Sequence, residues 1–223
     1  MHFMSLLKSL DDLLYEVMSW LVFYPLTLWR VLRRPLVMMD YSDRELNQNA
    51  AEQYTDTLTP PLFLLVSLLL SHAIELAFVG DNILVRSNHG LAALVKDDTS
   101  LVILRLVVFS VFPLMFAVRL VRAQRKRLTR ESLRPAFYAQ CYAAAPFALL
   151  IGIGTLLTTV HRVDWAMPLG LGITAATLFI YLMVQARWFA EHLQRSLIAG
   201  LGQAAIAMSA SMLMILLVAP LFA

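Results

Sequence analysis

Five long apolar runs, at residues 61–79, 101–121, 136–160, 165–186 and 197–223, stand out between polar intervals along the chain. At about 1.5 Å of rise per residue, about 20 helical residues cross a hydrocarbon layer of roughly 30 Å. Each run is long enough. A transmembrane barrel would alternate apolar and polar positions in segments of about ten residues, whereas these runs are continuous. The pattern predicts an all-α fold: a polytopic membrane helix bundle with five transmembrane helices, occupying residues 60–223.

The pattern changes before the first run. Leu6, Leu7, Leu10, Leu13, Leu14, Val17 and Leu21 recur at helical spacing, opposite Lys8, Asp11, Asp12 and Glu16. Trp20 and Trp29 are suited to a membrane boundary, and Arg30, Arg33 and Arg34 to its wet side. This predicts an N-terminal amphipathic interfacial helix lying in the headgroup plane. A sixth span over 13–29 is the alternative; Glu16 near one end and Pro25 inside count against it. Residues 40–59 read as an acidic linker, with Asp40, Asp43, Glu45, Glu52 and Asp56 against Arg44. They complete a cytosolic N-terminal region at 1–59 that ends at Thr59-Pro60-Pro61.

Composition supports a lipid solvent. The chain is 60% hydrophobic and 15% charged, where soluble domains carry about a quarter charged residues. Lipid admits only helices or closed barrels. The single cysteine, Cys141, excludes an internal disulfide and a cysteine-cluster metal site. The charges that interrupt the first apolar positions argue against a cleaved signal at the start.

Thirteen of the eighteen Lys and Arg residues fall on one side of the predicted spans. Six of these form the basic loop between spans two and three: Arg122, Arg125, Lys126, Arg127, Arg130 and Arg134. Three, Arg86, Lys96 and Arg162, fall on the other side. The positive-inside rule then places the N-terminus in the cytosol and the C-terminus outside. The net charge of +3 reports this topology rather than nucleic-acid binding. Short external loops suit a multi-pass protein of a bacterial inner membrane.

Ionisable residues within a span are functional candidates, because burying their charge costs a few kcal/mol on insertion scales. His72 and Glu75 share a helix face in span one, and Arg105 lies at matching depth in span two. The expectation is a Glu75–Arg105 ion pair beside His72, acting as a clamp or as a proton- or ion-coupling site. No third ligand stands at helical spacing, so no metal is expected. Pro113 and Pro146 are expected to kink their helices. Small residues at Ala144, Ala148, Gly152, at Gly172, Ala176 and at Gly200, Ala204 predict close helix packing.

No His-Glu-x-x-His, Gly-x-Ser-x-Gly or phosphate-binding loop occurs, so no catalytic residue and no cofactor is expected. Two segments carry a family resemblance. Cys141-Tyr142-Ala-Ala-Ala-Pro146 sets a Tyr-x-x-x-Pro motif in span three, and Phe23-Tyr-Pro25-Leu-Thr-Leu-Trp29 sets a Phe/Pro/Trp segment before span one. With the five-span layout, the chain resembles the Yip family of membrane proteins, including its bacterial relatives. Cys141 stands where the family often has glycine. The resemblance implies a non-enzymatic bundle that binds partners or organises membrane. The expected partners are the lipid bilayer with its anionic lipids, through the basic loop, and a membrane or cytosolic protein. The alternative is a small permease or channel subunit using His72 and Glu75. Five spans are few for that task, so it requires association with further copies or a partner chain.

Overall fold

The computed structural model describes residues 2–49, 52–79, 98–160 and 163–218, without the side chains of 2–7, 10, 12, 79, 98–105 and 218. Seven helices are present among the described residues: α1 (His2–Arg33), α2 (Pro35–Leu46), α3 (Pro60–Val79), α4 (Asp98–Ala123), α5 (Arg130–Thr159), α6 (Ala166–Leu193) and α7 (Leu197–Val218). Helices α3 to α7 are long and apolar enough to cross a membrane, and each corresponds to a run predicted from the sequence. The chain is an all-α, multi-pass membrane protein.

Helix α5 is the hub, with α2, α3, α4 and α6 packed on it, while α7 packs on α6 and α4. The apolar stretch of α5 is more than half buried (56%), against 17% for that of α6 and 22% for that of α7, whose outer faces meet lipid. The reason is local. Ala136, Ala139, Ala143, Ala144, Ala145 and Ala148 are buried around α5, and small side chains let neighbouring backbones approach from several directions. A capping box starts the helix: Thr129 accepts from the Ser132 amide, and Ser132 accepts from the Thr129 amide.

The glycines separate sharply. A Cβ on Gly170 would collide with the Gly154 carbonyl and the Thr158 amide, and one on Gly200 with the Ala186 carbonyl and Ala190. Gly172 and Gly202 have nothing within 4 Å. The close α5–α6 approach is therefore made by Gly154 and Gly170, not by the predicted Gly172, Ala176 pair, which is exposed. The inward face of α6 is set by Gly170, Thr177 and Tyr181, all buried.

Helices α5 and α6, of 30 and 28 residues, are longer than the roughly 20 residues a crossing needs. The Tyr142 hydroxyl meets the Leu58 carbonyl just before α3 begins, so residues 130–141 extend about 18 Å past the start of α3. The predicted spans stopped short of this, since charged residues at 130–134 and 187–195 read as loop. Here the helices run on through them, and packing against α2 repays the charge pattern. Residues 40–46, read as linker, belong to α2, whose Met38, Met39, Ser42 and Glu45 are buried.

Helix α1 is continuous through Pro25. Tyr24, Thr27 and Val31 are buried against the bundle. Lys8, Asp11 and Glu16 are exposed. Leu14, Met18, Leu21, Trp29 and Leu32 form an exposed apolar stripe at helical spacing, about 27 Å long.

Candidate functional site

A densely connected polar cluster lies where α1, α2 and the 52–58 segment cover the beginning of α3 and the middle of α5. Arg30 Nη1 donates to Asp56 Oδ2 at 2.7 Å, and the Tyr41 hydroxyl donates to Asp56 Oδ1 at 2.8 Å. The Thr57 hydroxyl lies 3.3 Å from those of both Tyr41 and Tyr142. Tyr142 donates to the Leu58 carbonyl at 2.8 Å, while the Leu58 amide donates to Thr27 Oγ1 at 3.2 Å. Four sequence-distant segments are thus tied at one level.

Directly beneath, Phe63 stands between Tyr24 and Tyr142, with ring centroids 5.4 and 5.9 Å away. The hydroxyls of Tyr24 and Ser67 are 3.0 Å apart. The two segments that carry the family resemblance are therefore neighbours in space, separated by one aromatic ring. Glu45 holds the next turn by accepting from the Tyr54 amide, and the Tyr54 hydroxyl donates to the Ser42 carbonyl.

Electrostatics make this a clamp. Burial opposes ionisation of Asp56, but hydrogen bonds from Arg30 and Tyr41 outweigh it and hold the carboxyl below the ordinary Asp value. Burial pushes the Tyr41 phenol up, with the Asp56 charge adding to it, and pushes Tyr54 up to about 12. Near neutral pH the phenols are donors and the carboxylate an acceptor. Neither is poised to exchange a proton.

Other polar contacts bind the helices at a similar level. Gln140 and Gln185 exchange two buried hydrogen bonds, at 3.0 and 2.6 Å, between α5 and α6. Arg119 Nε donates to Gln203 Oε1 at 2.7 Å, so this span-two arginine is tied to α7. His192 Nε2 lies 3.8 Å from Asp40 Oδ1, linking α6 to α2. Nearby, burial raises the Asp43 pKa.

Of the predicted intramembrane cluster, the side chains of His72 and Glu75 are described. His72 is buried. Glu75 lines a cavity of about 230 Å³ with Ser71, Gly152 and Thr155. The Arg105 side chain lies outside the described residues, and with it the predicted ion pair. Among the described residues no group of three metal-ligating side chains occurs. Pro146 lines a crevice against the α1–α2 corner. In the basic loop, Arg122, Arg125, Lys126, Arg127, Arg130 and Arg134 are all exposed, Arg134 over the Tyr138 ring at 5.3 Å. Arg86, Lys96 and Arg162 lie outside the described residues.

Sequence reasoning picked out Tyr142 but not the cluster of Thr27, Tyr41 and Thr57 around it, and it named Arg30 and Asp56 without pairing them. One signal was present. Tyr24, Thr27 and Arg30 place polar groups three apart along an otherwise apolar stretch, a stripe with no purpose on a helix that meets only lipid. No protein-family model, curated protein or solved structure matches the chain.

Proposed function

We propose that this is a non-enzymatic, Yip-like membrane protein that organises the bilayer or binds a protein partner through its α1–α2 cap. The observation that carries this reading is the seating of α1. Its inner face is fixed to α3 and to the 52–58 segment by the Tyr24, Thr27 and Arg30 contacts, leaving the stripe from Leu14 to Leu32 outward. An amphipathic helix held at the edge of a bundle can lie in the interfacial layer and bend it, or offer a groove-binding face to another membrane protein. A phenol that keeps its proton at Tyr41 beside a carboxylate that stays ionised at Asp56 supports a holding role over acid–base chemistry. The arginine excess at this end supports a cytosolic N-terminus, an external C-terminus and placement in a bacterial inner membrane.

Photo-crosslinkers at Met18 and Leu21 in native membranes test the reading. The expected result is capture of lipid and of one recurrent protein partner; a chain that captures neither loses this function. A reporter fused after Ala223 that is active only in the cytosol overturns the orientation.

A second reading, a permease or channel subunit, is favoured by the Glu75 cavity with its Ser71 and Thr155 hydroxyls. Solute or proton flux in proteoliposomes that Glu75→Gln abolishes, with folding intact, would establish it. Absence of flux across a broad solute panel would end it.

A further inference from the structure

A narrow crevice of about 80 Å³ opens on the lipid side between α5 and α6. Pro146 and Leu150 form one wall, Thr177 and Ile180 the other, and Leu32 and Pro35 at the α1–α2 corner roof its end. Along α5 the crevice runs from Ala143 to Leu150, about 10 Å. The Thr177 hydroxyl is satisfied by the Ile173 carbonyl, so this wall asks for no polar ligand. The roof is different. Arg33 and Arg34 are exposed between the two roof residues, and Arg33 sits over the Trp29 ring at 5.3 Å. Arg30, by contrast, is engaged by Asp56.

An apolar slot whose roof residues Leu32 and Pro35 bracket two exposed cations along the chain has the shape and charge that suit a phospholipid. A chain lies along the slot, and the cations attract a negative headgroup. We infer that this crevice is a seat for an anionic glycerophospholipid, one acyl chain between α5 and α6 and the headgroup on Arg33 and Arg34. The seat rests on the membrane-organising reading and names its ligand: a bound lipid would pin the corner joining α1 to α2 and couple the cap to leaflet charge. It differs from the expectation that anionic lipid docks on the 122–134 loop.

Native mass spectrometry of the whole protein, titrated with phosphatidylglycerol or phosphatidylcholine of the same chains, tests the seat. Wild type is expected to retain phosphatidylglycerol preferentially. Replacing Arg33 and Arg34 with Gln removes that preference, at roughly fivefold per arginine, with the melting temperature unchanged. Ile180→Trp fills the slot from an exposed position and lowers retention of both lipids. Arg125→Gln with Arg127→Gln in the basic loop leaves the preference intact. Equal retention of the two lipids by wild type overturns the seat, as does a preference that survives loss of both corner arginines. A preference that follows the loop arginines instead also overturns it. Crosslinking at Met18 and Leu21 reports separately: a captured protein partner without lipid preference retires the seat alone, and a lipid preference without any captured protein retires the partner-binding reading.

Discussion

The two faces of α5 are held by different physics. Toward α1, α2 and α3, the face carrying Cys141, Tyr142, Ala145 and Ala148 meets Tyr24, Leu58 and Phe63, under a network of hydroxyls, a carboxylate and a guanidinium. Toward α4 and α6, the face carrying Ala139, Ala143 and Phe147 meets a ring cluster. Phe147 stacks on Tyr181 at 4.3 Å, and Phe116 meets Tyr181 edge to face at 5.5 Å. Close backbone contact at Gly154 and Gly170 extends this second face. Where lipid supplies no hydrophobic drive between helices, shape complementarity and backbone approach hold a bundle together. The first face is nearer to water, and there directional hydrogen bonds specify which segment docks. One face makes the bundle; the other attaches a cap to it.

Breaking the packed face is expected to cost most. Gly170→Val forces a branched side chain into the Gly154 backbone and should destabilise by about 3 kcal/mol, as overpacking does. Gly172→Val, two residues on with open space around it, should be nearly silent. Thermal unfolding in detergent compares the two, and equal losses would contradict the asymmetry. Next is Gln140→Leu, which strands the buried Gln185 amide and should cost about 2 kcal/mol, with Gln185→Leu restoring much of it in the double variant. A double-variant loss equal to the sum of the singles would show that the amides do not act as a pair.

Effects on the capped face should be smaller and confined to the cap. Tyr142→Phe removes the donor to the Leu58 carbonyl and should cost about 1 kcal/mol. Proteolytic nicking at 47–58 should accelerate while the bundle's melting temperature falls little. A large drop in that temperature would make Tyr142 part of the bundle's core stability instead. The smallest effect belongs to the surface pair. Asp56→Asn should cost less than about 1 kcal/mol and should matter less in high salt. Because the folded Asp56 value is depressed, its contribution is present above the ordinary Asp pKa, near 3.9. It is lost as pH falls through the folded value. Asp43 behaves oppositely: its raised value makes its ionisation a liability as pH climbs above the ordinary Asp range, so Asp43→Asn should stabilise at neutral pH and do nothing in acid. A pH titration of cap proteolysis separates the two, and matching slopes for both variants would overturn the assignment.

Hydrophobic run length alone determined that the chain crosses the membrane five times, since a span must present about twenty apolar residues whatever surrounds it. The amphipathic character of α1 was equally legible, because a 3.6-residue period is a property of one segment. Other choices belonged to the tertiary structure. Nothing local distinguishes Gly170 from Gly172 as the glycine that touches a neighbour, since helix rotation about its own axis is settled by packing. Helical continuation of α5 and α6 through charged residues depended on α2 lying alongside them. Tyr142 acquired its meaning from Leu58 and Thr57, more than eighty residues away along the chain. Burial in lipid is a sum over a segment, but a hydrogen-bonded clamp needs particular atoms from distant segments to arrive at one point, and only the folded chain brings them there.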